Sequence, residues 1–139
     1  MESIESDASG LPSGLADHLL RPRGAGAPPP GSGASSGEGH NAACGDRVLL
    51  WIWRQPPGHG LAFQAQACSA VLAVASLACE ALAPAFAAAS DLEALRAAVA
   101  GLDLEGRVAS LGGLPRHKAH AIWVVERALA AALTRLTGG

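Results

Sequence analysis

The chain has 139 residues, enough for one domain with a real core, and half of them are apolar, although alanine supplies much of that half. A formal charge of −2 and a pI near 6.2 leave no electrostatic footprint for nucleic acid or an anionic membrane surface. Three cysteines, an odd count, argue against a disulfide framework and for thiol or metal chemistry.

The opening residues are acidic and carry neither the basic start nor the apolar stretch of a signal peptide. They predict a flexible N-terminus over 1–14 and a cytoplasmic protein. No apolar run is expected to span a bilayer, which needs roughly 18 residues. Residues 15–20 read as a short helix stopped by Pro22. From Gly24 to Gly39 the chain is almost entirely Gly, Pro, Ala and Ser, which predicts a flexible loop. Strand propensity peaks at 47–55, Pro56-Pro57-Gly58-His59-Gly60 signals a turn, and 61–67 alternates at a strand's period. These segments form an antiparallel hairpin with a five-residue connection.

Helical character follows. Residues 69–83 are Ala-rich, and Pro84 marks the expected end of that helix. Ser90, with Glu93 three residues on, reads as the N-cap of a helix over 91–100 closed by Gly101. After a break at 112–115, Ile122, Val125, Leu129, Leu133 and Leu136 recur on one face of a final helix. The fold class is therefore α+β: a small antiparallel sheet, the hairpin at about 47–67, packed against C-terminal helices in one domain over 15–137.

Cys44 and Asp46 precede the first strong strand, and Cys68 follows the second. Antiparallel pairing brings the start of one strand beside the end of the other, so both loops meet at one end of the sheet. Soft sulfur and hard oxygen offered together suit zinc or iron. Gly45 lets the backbone fold around an ion, and the helix start at Cys68 favours a thiolate. Cys44 and Cys68 as small buried hydrophobes is the alternative on spacing alone. Cys79 lies eleven helical residues beyond Cys68, roughly 16 Å along the axis, too far to share its ion.

Three segments resemble one family in order. Asp17-His18 with Arg21-Pro22-Arg23-Gly24, then Gly39-His40-Asn41-Ala42-Ala43-Cys44-Gly45-Asp46, is similar to the opening of NifU/IscU-type iron–sulfur cluster assembly scaffolds. Ala67-Cys68 through Ser76 resembles their second cysteine segment, and His120-Ala121 through Leu129 their third. The resemblance covers most of the chain from about Leu15 and implies a SufE/NifU-like α+β fold. Two features depart from it: Ala121 stands where the family has its third cysteine, and the family's first strand, due between Gly24 and Gly39, is missing as a pattern.

What the resemblance implies is a non-enzymatic scaffold that holds iron or a transient [2Fe–2S] cluster through Cys44, Asp46, Cys68 and His120. The aspartate keeps the cluster labile, and a cysteine desulfurase and cluster-recipient proteins are the implied partners. The same two thiolates, imidazole and carboxylate also suit zinc, so a zinc-binding sulfur-transfer accessory on this fold stays open. So does an interaction module that has lost its chemistry. A Cys68/His120 hydrolase lacks any recognisable oxyanion hole. His18, His40, His59 and His117 are not at ligand spacing, and Trp51 and Trp53 share a strand face as core or sheet-covering aromatics.

Overall fold

The computed structural model describes residues 10–43 and 45–136, so residues 1–9, Cys44 and 137–139 lie outside the described residues. Helix α1 (Ser13–Leu20) is followed by strands β1 (Ser35–Asn41), β2 (Asp46–Gln55) and β3 (Gly58–Gln66). Then come helices α2 (Ser69–Ala88), α3 (Leu92–Ala100), α4 (Leu104–Ser110) and α5 (His120–Arg135), with a 3-10 turn at Arg116–Lys118 before α5. The strands form one antiparallel sheet in the order β1-β2-β3. The architecture is α+β: α2 and α5 cover one face of the sheet, and α1, α3 and α4 pack on those two helices.

Strand β2 has the clearest local cause. Val48, Leu50 and Ile52 point inward with no exposure, while Leu49, Trp51 and Trp53 alternate onto the outer face and are half-buried. The two tryptophans cover the sheet's outside: Trp53 lies opposite Gly60 and fills the space its missing side chain leaves. The hairpin turn is tighter than the sequence predicts. Gln55 already pairs with Gly58, so only Pro56 and Pro57 connect the strands.

Strand β1 overturns the expectation of a loop through Gly39 and restores the first strand that seemed missing. Its residues alternate as a strand should, with Gly37 and Gly39 inward and Glu38 and His40 outward. The inward positions are glycines because α5 lies directly on the strand's main chain. An added Cβ at Gly39 would stand 2.9 Å from the carbonyl carbon of Val124 and closer still to its oxygen. Ser35 adds an Oγ–H donated to the Ala132 carbonyl at 2.7 Å. Composition counts glycine against a strand; here tertiary contact decides. The same Gly-rich stretch also lies down on β3, with Gly26 N–H donating to Phe63 O and Phe63 N–H to Gly24 O.

Helix α2 is the centre of the molecule, with Ala70, Val71, Ala73, Val74, Ala75 and Ala78 wholly buried. Alanines let it approach the sheet, α1, α3 and α5 closely. It does not stop at Pro84, which sits on the exposed side while Leu82 and Phe86, four apart, bury the other side and hold the last turn. At 20 residues and mean hydropathy 1.9 it is long and apolar enough to cross a membrane, against the expectation of no such run. Yet 61% of that window is buried within the fold, as in a core helix. The cap of α3 is Asp91, not Ser90: its carboxylate accepts the Ala94 N–H at 2.8 Å. Helix α4, unanticipated, has only seven residues, too few for a readable period; Asp103 caps it and Leu104 and Val108 are buried.

Two histidines are structural. His59 Nδ1 meets the Ala89 carbonyl at 2.8 Å. His18, 4% exposed, joins α1 to α2 through Ser76 Oγ at 2.7 Å, and that oxygen also accepts the Arg23 N–H. Burial first, then the Arg23 charge, hold its pKa below the ordinary 6.5, against the smaller pull of Glu80 and Asp17. The unfolded chain thus binds this proton more readily. The stabilising contribution is present above about pH 6.5 and is lost as pH falls through the lowered folded value. Thermal melts from neutral to mildly acidic pH are expected to show Tm falling, with a smaller fall in His18→Gln.

Candidate metal centre

A short loop delivers the acidic ligand. The Asn41 carbonyl accepts the Gly45 N–H at 2.9 Å, and its side-chain oxygen accepts the Ala43 N–H at 3.2 Å. Gly45 has φ +73°, a left-handed conformation natural to glycine. The loop closes so that Asp46 opens β2 opposite Asn41. One step on, Arg47 pairs with Gln66, which sets Cys68 just past the end of β3 and beside Asp46. Cys68 is the N-cap of α2, so the carboxylate also lies at the positive end of that helix's dipole.

Asp46 is 2% exposed, and a buried carboxylate needs donors. Its Oδ1 accepts the Cys68 backbone N–H at 2.8 Å. Its Oδ2 lies 2.8 Å from His120 Nε2 and 3.9 Å from Cys68 Sγ. An ionised carboxylate can only accept, so this pair requires the proton on Nε2. His120 is the first residue of α5, which the β1 glycines hold against the sheet. The carboxylate therefore ties together three elements: β2, the start of α2 and the start of α5.

One potential ligand atom from each of Asp46, Cys68 and His120 falls within 4.8 Å of the others. Tetrahedral coordination at bonds near 2.0–2.3 Å spaces ligand atoms roughly 3.3–3.8 Å apart. Side-chain adjustments of about 1 Å would suffice, and the donor set of sulfur, imidazole nitrogen and carboxylate oxygen fits zinc or iron. The residues open onto a cleft of about 670 Å³ that is also lined by Gly45, Gln66, Ala67, His117 and Lys118. Cys68, half-buried, forms part of its wall.

Of the four ligands expected from sequence, the fold brings three together, and Cys44 lies outside the described residues between Ala43 and Gly45. Ala121, where the resemblance would set a third cysteine, is fully buried in the core and is not among the residues lining the cleft. Cys79 is a packing residue: 3% exposed, tucked beneath Gly24, its thiol pushed up to about 12 by burial. Sequence reasoning passed over His117 and Lys118 as cleft-lining groups. Their nearness to His120 in the chain was the available signal.

No protein-family model and no curated protein matches the sequence. Solved structures do resemble the fold. A hypothetical protein with a crystal structure at 2.3 Å is 20% identical, with a TM-score of 0.49 over 91% of this chain and 82% of its own. The N-terminal part of a nitrogen-fixing NifU-like protein from Brucella abortus is 14% identical, with a TM-score of 0.45 over 88% and 79%. Both likenesses are weak, and the chemistry of the site stands on its own residues.

Proposed function

We propose that this protein is a non-enzymatic carrier that takes iron, or a transient [2Fe–2S] cluster, at Cys44, Asp46, Cys68 and His120 and passes it on. The observation that carries the reading is Asp46 Oδ2 standing between His120 Nε2 and Cys68 Sγ in an open cleft. The sequence resemblance to cluster-assembly scaffolds supports it and supplies the expected partners, a cysteine desulfurase and cluster-recipient proteins. By the same resemblance, the aspartate keeps the bound cargo labile enough to pass on. Taking a metal at Nε2 would move the imidazole proton to Nδ1, and the cysteine ligands would lose their thiol protons, so loading releases protons from sulfur.

Zinc on the same residues is the second reading. It is favoured by the buried Ala121, which removes the third thiolate that a cluster would use. Anaerobic addition of ferrous iron and sulfide, followed by visible absorbance and elemental analysis, separates the two. A cluster chromophore that is absent in Cys68→Ala and Cys44→Ala supports the carrier. Zinc bound with no chromophore favours the second reading, and metal content unchanged in both variants sinks the two together.

A further inference from the structure

We propose that a ridge formed by Arg116, Lys118, Trp123 and Arg127 docks an acidic segment of a partner protein beside the cleft. The inference does not depend on what the cleft carries. His120, Trp123 and Arg127 fall at helical positions i, i+3 and i+7, so one side of α5 starts in the cleft and runs outward. Arg116 and Lys118 lie in the turn immediately before it, and Lys118 lines the cleft itself.

Trp123 is 37% exposed, and among the described residues only Leu20 joins it as an exposed large hydrophobic side chain. Arg127 stacks over its ring, with Cζ 4.5 Å from the centroid. A stacked guanidinium keeps its in-plane N–H groups free for a bidentate carboxylate. Exposed tryptophan and arginine are the side chains that anchor protein interfaces.

Charge names the occupant. In a chain of net −2, the stretch from Pro115 to Leu136 carries four basic residues and a single acidic one, Glu126. Among the described residues, Arg116, Lys118 and Arg127 have no carboxylate partner, as is also true of Arg54, Arg96, Arg107 and Arg135; what distinguishes the three is their place beside the exposed indole's helix and the cleft. One arginine stacked on the indole, with two more cations in the turn that leads into the same helix, fits a short run of carboxylates interrupted by an apolar side chain. These cations are too few to hold a polyphosphate strand or a lipid surface against the molecule's overall negative charge.

The test uses the full-length, metal-free chain labelled with 15N, titrated with a synthetic peptide alternating Glu and Leu. A Lys/Leu peptide, a single-stranded oligonucleotide and phosphatidylserine vesicles serve as comparison probes. The acidic peptide is expected to shift the Trp123 indole N–H and the backbone amides over 116–127. Trp123→Ala and the combined R116E, K118E and R127E substitutions should each weaken binding by about tenfold or more. Circular dichroism identifies any variant that fails to fold, and Arg127→Gln then stands in. Metal loading is expected to be unchanged in Trp123→Ala. Resonances that do not move, equal affinity in the folded variants, or tighter binding of oligonucleotide or vesicles would each overturn the proposal.

Discussion

Gly39→Ala is expected to cost this domain about 3–5 kcal/mol and to lower its Tm by more than about 10 °C. The methyl group would be driven into the main chain of Val124, which no side-chain rotation can relieve. Either β1 leaves the sheet or α5 lifts from it. In both cases His120, at the head of α5, moves away from Asp46, so metal affinity should fall although no ligand is altered. Glu38→Ala, on the exposed side of the same strand, is the control and should change Tm by less than about 3 °C. A Gly39→Ala protein that melts like the parent would mean that the helix does not rest on the strand as described.

The second large effect concerns Asp46. Asp46→Ala removes the acceptor of both the Cys68 N–H and the His120 imidazole and should weaken binding of a single ferrous or zinc ion at least about 100-fold. It should also destabilise the fold by about 1–3 kcal/mol, because buried donors are left unpaired. Asp46→Asn separates the two effects. Its side-chain oxygen can still accept the Cys68 N–H, so most of the stability should return while the missing charge keeps ion affinity low. Isothermal titration and thermal melts on both variants read these outcomes. Parental ion affinity in Asp46→Asn would remove the carboxylate from the ligand set.

The hairpin and its consequence for the site were legible because they rest on local rules. Alternation in β2 and antiparallel pairing suffice to bring Asp46 and Cys68 to the same end of the sheet. The place of His120 depends on how α5 docks, and periodicity alone does not supply that. What resolves it are Gly37 and Gly39, a pair at strand spacing whose meaning appears only once a helix covers them. Pro84 misled for a related reason: burial of Phe86 outweighs one missing N–H. Helix α4 and the buried role of His18 left no periodic trace at all. In each case a distant contact outvoted the local preference.

The stretch that composition marks as a mere spacer has a further part to play. By occupying the outward N–H and C=O of Phe63, Gly24 and Gly26 withdraw that part of the sheet's rim from neighbouring molecules. The prolines just beyond, at 28–30, have no amide hydrogen with which to recruit another strand. The cleft at one end of the sheet thus stays accessible while this side of it is kept from adding strands of another molecule.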